Sequence, residues 1–254
     1  MSRSTSSGCF FLDTVTLLSE ILKENISRIA KFKQDVSLHN IPCYICGSVE
    51  KECYDKVEST INFLGTVIRE GIRIHLQESR RNRRISTASS MTSEDVIALE
   101  EIFTMLHGAV KVSAISLSSP LKIIEEWAVT FLGEKLEQGV QIGIPEFLTE
   151  LLTRILTLTS SIQDPYDELV TFERSFAKKI NVSVDASIVD SFKSVGIHEP
   201  DATHLASAFT HQSSNNEKTV FVTLDYSTVL SHKDEAKSLG IVCCDPIYAI
   251  YYLM

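Results

Sequence analysis

The sequence predicts an α/β protein, a parallel sheet covered by helices on both faces and interrupted by an all-helical insertion. Three observations carry this. Short, continuously apolar runs of the kind shown by fully buried parallel strands stand near both ends of the chain. Between them lie stretches whose apolar residues recur at helical spacing. From about 94 to 180 the strand-like runs vanish and only helical periodicity remains.

Taken in order, Cys9-Phe10-Phe11-Leu12 is the first buried run, and it ends at Asp13. From Thr16, the residues Leu17, Leu18, Ile21, Leu22 and Ile26 keep helical spacing. Ile41 to Cys46 reads as the second strand. Gly47-Ser48 then opens a helix whose apolar face is Val49, Cys53, Val57, Ile61, Leu64 and Ile68. Arg69 to Arg84 is rich in arginine, and Ser86 to Ser93 is mostly hydroxyl-bearing, the composition of a mobile linker. Beyond it, Pro120, Pro145 and Pro165 each start a helix, with inward faces Ile124/Trp127/Phe131/Leu136, Leu148/Leu151/Leu152/Ile155 and Leu169/Phe172/Phe176. Pro200-Asp201 opens a helix carrying Ala202, Leu205, Ala206 and Phe209 on one face. Val220-Phe221-Val222-Thr223 is a strand ending near Asp225. Gly240 stops a further helix, Ile241 to Cys244 is another strand, and Ile247 to Leu253 a closing helix. The predicted division is a discontinuous α/β domain, 8–78 plus 181–254, a basic and hydroxyl-rich linker, 79–93, and a helical insertion, 94–180.

Apolar residues make up 44% of the 254 and charged residues 22%, which allows a packed core. A net charge of −9 excludes a surface that grips nucleic acid everywhere, though not a local basic path beside an acidic site. No run approaches the roughly 20 apolar residues that a membrane helix needs. Cys9 to Leu18 is broken by Asp13 and lacks a small-residue cleavage site, so no signal peptide is read, and a cytoplasmic protein is expected. The six cysteines include a lone CxxC, Cys43 and Cys46, whose odd spacing in a strand points them to opposite faces. No second pair follows it, so buried, reduced thiols are expected. None of the seven histidines falls in a ligand-spaced pair, and His198 and His204, flanking Asp201, read as surface residues.

The acids fall in one place. Ligands of a parallel sheet bind beyond the carboxyl ends of its strands. Asp13 ends the first strand, Asp225 lies just past Val222, Glu50 and Glu52 sit in the first turns of a helix that follows a strand, and Asp201 opens a helix. Glu50, Glu52, Asp201 and Asp225 each have a plain explanation as a helix cap or solvated surface, whereas Asp13, closing a buried apolar strand, needs a partner or a metal. Together they pose a problem, because carboxylates about 4 Å apart repel by about 4 kcal/mol at an effective dielectric of about 20. A Mg²⁺ or Mn²⁺ ion removes that repulsion, and hard cations take oxygen ligands.

The segments Phe11-Leu12-Asp13-Thr14, Ser48-Val49-Glu50-Lys51-Glu52, Pro200-Asp201-Ala202-Thr203-His204-Leu205-Ala206 and Val222-Thr223-Leu224-Asp225 resemble, in order, the motifs of the PIN-domain nuclease family. The resemblance covers roughly residues 8–78 and 181–254. It implies a Rossmann-like, PIN-like sheet, a Mg²⁺ or Mn²⁺ site and cleavage of RNA, usually single-stranded. Carried over, the ligands are Asp13, Glu52, Asp201 and Asp225, supported by Thr14 and by Thr223, which orients Asp225. The chain departs from the family pattern at Val15, where a small polar residue is usual, and at Tyr226, where a polar or acidic one is common. Glu50 and Glu52 compete for one role, and Glu52, three residues after Val49, matches the family spacing.

Two further expectations concern partners. Arg73, Arg80, Arg81, Arg83 and Arg84 form either a phosphate-contacting path for RNA or a solvated helix end. A PIN-like chain that no longer cleaves and serves as an RNA-binding or assembly subunit is the alternative to an enzyme. A phosphatase with a strand-ending Asp needs a second Asp two residues on, where Val15 stands. The sequence leaves open a homo-oligomer or a protein inhibitor as partner.

Overall fold

The computed structural model describes residues 8–22, 24–86, 89–112, 118–170 and 177–254. Its strands are β1 (Gly8–Leu12), β2 (Cys43–Cys46), β3 (Ala177–Ile180), β4 (Lys218–Val222) and β5 (Val242–Cys244). They form one sheet in the order β3-β2-β1-β4-β5, every pair parallel. The helices in chain order are α1 (Thr14–Ile21), α2 (Ile26–His39), α3 (Gly47–Asn62), α4 (Arg69–Asn82), α5 (Ser93–Val112), α6 (Ser118–Glu137), α7 (Ile144–Val170), α8 (Ala186–Ser194), α9 (Asp201–Asn215), α10 (Lys233–Ser238) and α11 (Ala249–Leu253). None of those described is long and apolar enough to cross a membrane.

The central strands are continuously apolar because both their faces are covered. Phe10, Phe11 and Leu12 on β1 and Val220, Phe221 and Val222 on β4 have no exposed surface. The edge strand β3 is the exception, since Lys178 and Lys179 are exposed and only Ala177 is buried. The sequence reading placed these residues in the helical insertion. That is corrected here: Ala-Lys-Lys-Ile pairs with β2 from Ala177 opposite Cys43 to Ile180 opposite Cys46. A solvated edge needs no apolar run, so the strand carries no such signal.

The chain divides into two compact units, one comprising the chain up to Asp55 with Pro165–Met254, the other Lys56–Asp164. The limits between these units, 55/56 and 164/165, differ from the limits 78/79 and 180/181 read from the sequence. Both junctions fall inside helices, the first in α3 with no turn residue to mark it, the second in α7 directly before Pro165. Pro165, expected to start a helix, lies within α7, which continues to Val170. Phe172 and Phe176, assigned to that helix's face, fall outside the described residues.

Within the helical unit, Leu121, Ile124, Ala128 and Leu132 of α6, Phe147, Leu151 and Ile155 of α7, and Leu99 and Phe103 of α5 are buried. Between α3 and α4, residues Phe63–Ile68 form wider, π-type turns. Thr60, Leu64, Ile68, Ile72, Leu76 and Arg80 are buried four residues apart. Such a spacing drifts around an ideal helix, and a wider turn returns it toward one face.

Arg80 corrects two expectations at once. It has no exposed surface, and its guanidinium uses all five N–H groups. Nε and Nη2 donate to the two oxygens of Asp95 at 3.0 and 2.8 Å, and the rest reach the carbonyls of Ser86, Ser89 and Ser90. It is therefore no contact for RNA. The Ser86–Ser93 stretch, expected as a mobile linker, has the carbonyls of Ser86, Ser89 and Ser90 bound by this arginine, while Met91 N donates to Ile142 O at 2.7 Å. Thr87 and Ala88 lie outside the described residues.

Candidate metal centre

The sheet order reverses between β1 and β4, where chain connections diverge to either side and leave a crevice at the carboxyl ends of the strands. Asp13 follows β1 directly and is held there from three directions. Thr14 N donates to Oδ1 at 2.8 Å, His204 Nδ1 lies 3.2 Å from the same oxygen, and Thr223 Oγ1 donates to Oδ2 at 2.7 Å. Because a carboxylate only accepts, the imidazole proton in that contact sits on Nδ1. The strand ends are themselves tied, with Asp13 N donating to Val222 O and Thr223 N to Cys244 O. Asp13 is 1% exposed, so this network is what makes its burial tolerable.

Glu52 reaches the same place from α3. Thr14 Oγ1 donates to its Oε2 at 2.7 Å, and His204 Nε2 lies 3.7 Å from that oxygen. Glu50, two residues earlier, points around the helix and pairs with Lys179 on β3 at 2.5 Å. Of the two, Glu52 is the one at the centre.

Asp201 and His204 come from α9, three residues apart and so on one face. A carboxylate oxygen of Asp13, one of Asp201 and a ring nitrogen of His204 lie within 4.8 Å of one another. Burial, then the charges of Asp13 and Asp225, push the Asp201 carboxyl up to about 7; His204 opposes this and Glu52 adds to it. All four predicted acids are thus electrostatically linked. Asp225 is anchored differently: its N donates to Thr223 Oγ1 at 2.9 Å, while its Oδ1 accepts from Ser227 N, Ser227 Oγ and Thr228 N. Burial raises its pKa, but these bonds outweigh burial and leave it below the ordinary value. Thr223 therefore serves both ends, accepting from Asp225 and donating to Asp13.

His204 was read as a surface residue and is corrected to a fully buried one. Its Nε2 is shut from solvent with no hydrogen-bond partner among the described residues. The available signal was its place three residues after Asp201 in the otherwise small and apolar run Ala202–Ala208. Val15 is half-buried on α1 beside the centre, and Tyr226 directs its hydroxyl to Arg28 and Asp245. The remaining arginines belong to the helical unit. Arg73 pairs with Glu70 at 2.8 Å, Arg83 with Glu94 at 2.6 Å and Asp95 at 2.9 Å, and Arg81 and Arg84 are exposed.

Comparison of the chain with protein-family models, with curated proteins and with solved structures yields no match. The donor set itself fits a divalent cation. Oxygen donors dominate it, a buried imidazole nitrogen has no hydrogen-bond partner among the described residues, and one carboxyl is pushed up to about 7 by burial and its neighbours' charge.

Proposed function

We propose that this chain is a PIN-like, Mg²⁺- or Mn²⁺-dependent endoribonuclease acting on single-stranded RNA, with Asp13, Glu52, Asp201 and Asp225 as its metal-holding acids. The observation that carries the reading is the convergence of Asp13, Asp201 and His204 within 4.8 Å, with Glu52 tied in through Thr14, at the reversal point of a parallel sheet. A bound cation there supplies a Lewis acid for a phosphoryl oxygen and a more acidic water. The chain's own contribution is positioning. Thr14, Thr223 and His204 orient Asp13, Thr14 fixes Glu52, and the Ser227–Thr228 turn holds Asp225.

The test is Mn²⁺-dependent cleavage of a panel of single-stranded RNAs. Wild type is expected to cleave, with Asp13→Asn and Asp201→Asn each reducing the rate at least about 100-fold while circular dichroism is unchanged. Cleavage that persists at the wild-type rate in both variants removes the reading. One observation favours a second reading, a non-cleaving RNA-binding or assembly subunit: Asp225 already commits an oxygen to three hydrogen bonds. That reading predicts Mn²⁺ binding with no cleavage of any RNA in the panel.

A further inference from the structure

A second group of ligand-type side chains lies at the opposite, amino-terminal edge of the same sheet. Cys9 is the second residue of β1, Glu217 immediately precedes β4, and His211 belongs to the last turns of α9. Cys9 Sγ, a ring nitrogen of His211 and a carboxylate oxygen of Glu217 all lie within 4.8 Å of one another. His211 Nε2 and Glu217 Oε2 are 3.6 Å apart, which is an edge length expected between ligands of a tetrahedral ion, about 3.3–3.8 Å for metal–ligand bonds near 2.0–2.3 Å.

Ordinary packing does not account for all of this. His211 Nε2 is shut from solvent and has no hydrogen-bond partner among the described residues. An imidazole N–H in that position leaves a hydrogen bond unmade, at a cost of about 1–3 kcal/mol. The frame around it is fixed. Tyr44 packs against the ring at 5.0 Å and Phe11 at 6.1 Å. Gln212 accepts from Thr219 N and donates to Gly240 O, pinning the end of α9 to the start of β4. Cys9 has no exposed surface, whereas His211 and Glu217 are 11% and 15% exposed, so an ion can enter from their side.

We infer that Cys9, His211 and Glu217 form a Zn²⁺ site with three protein ligands and one open position, separate from the oxygen-rich centre at the other edge. The donor set decides the metal. A thiolate and an imidazole select Zn²⁺ over Mg²⁺ and Mn²⁺, which prefer the carboxylates of the first centre. Binding replaces the S–H bond of Cys9 by an S–Zn bond and releases the proton to solvent. It also needs the His211 tautomer with its proton on Nδ1. Asn215 Nδ2 now donates to that nitrogen at 3.0 Å and to the His211 carbonyl at 2.9 Å, so metal binding gives up the first of these bonds as the proton moves to Nδ1.

The experiment is a Co²⁺ titration of the full metal-free chain, followed by optical absorption. Co²⁺ stands in for Zn²⁺, and a near-ultraviolet thiolate-to-cobalt band reports a sulfur ligand. One equivalent should produce the band and one equivalent of Zn²⁺ should abolish it. Cys9→Ser and His211→Gln should each lose the band. Asp13→Asn, in the other centre, and Cys243→Ser, a buried thiol elsewhere, should both keep it. Either a folded wild type with no band or a band that survives Cys9→Ser overturns the assignment. Should Cys9→Ser fail to fold, His211→Gln decides in the same way, since a band of undiminished strength there also overturns it.

Discussion

Asp201 is held between three other acids on a half-buried helix start, and its carboxyl is pushed up to about 7. The sign of the consequence follows from proton counting. Between its ordinary value of 3.8 and about 7 the folded chain holds a proton that the unfolded chain has lost. Metal-free stability therefore falls as pH rises through that window and stays low above it. Asp201→Asn should remove the fall and stabilise the metal-free protein at pH 8 by on the order of 2 kcal/mol after solvent screening. Urea denaturation from pH 4 to pH 8 measures this, and a variant with the wild-type slope contradicts it. Glu50 and Glu52 supply a second residue-scale test. Glu52→Gln replaces the carboxylate that accepts from Thr14 Oγ1 by a neutral amide, while Glu50→Gln only loosens the pair with Lys179. Loss of Mn²⁺-dependent cleavage in the first and near-normal rates in the second are expected. Parity between them contradicts the placement. Here the sequence was informative: the four acids stand out by their strand-end and helix-start positions, and the preference for Glu52 over Glu50 came from the family spacing after Val49. His204 was not, because a histidine on a buried helix face looks like any other until its neighbours across the sheet are known.

Among the elements, the turn from α4 into α5 shows how a local pattern misleads. A run of arginines beside serines reads as basic and mobile, yet Arg80 is the fourth residue after Leu76 in a buried row, and its charge meets Asp95 in the first turn of α5. Charge pairing across 15 residues is a tertiary fact that composition cannot carry. Burial raises the Asp95 carboxyl, but the bonds from Arg80 and Thr92 outweigh burial and hold it below its ordinary value. The pair's contribution is then full above that value and is lost as pH falls through the lowered one. Arg80→Met leaves Asp95 buried with Arg83 as its remaining cationic partner, and should cost about 3–5 kcal/mol in chemical denaturation. Arg80→Lys should recover little, since an ammonium cannot span two carboxylate oxygens and three carbonyls. Native trypsin should spare the buried Arg80 in wild type, and in Arg80→Met/Asp95→Asn, which has no trypsin site at 80, should cut faster than in wild type at the exposed Arg81 and Arg84. A variant as stable as wild type shows that the pair is incidental. The strand β3 was missed for the converse reason, as a solvated edge strand has no apolar run to announce it.

For the whole molecule, the buried strands β1, β2, β4 and β5 were legible because continuous apolar runs are what a sheet covered on both faces requires, whereas their spatial order and the reversal between β1 and β4 come from pairings that no single run encodes. The limits of the helical unit were not legible, because α3 and α7 run through both junctions without a break. The junctions are nevertheless close in the α/β unit: the rings of Tyr54 and Tyr166, one residue before Asp55 and one after Pro165, lie tilted to each other with centroids 5.9 Å apart. Joining Asp55 to Pro165 by a short Gly/Ser linker should therefore give a folded α/β core, since closing a short loop between near ends has a modest entropic cost. Its circular dichroism and a cooperative melt check this, and an unfolded product shows that the helical unit is required. The proposed activity depends on the carboxylate centre, and direct Mn²⁺ binding tests that most simply. Paramagnetic resonance of free Mn²⁺ should show wild type removing ions from solution, and Asp13→Asn/Asp201→Asn, equally folded, removing at least tenfold less at the same concentrations. Equal uptake by the two proteins would mean that these acids do not hold the ion.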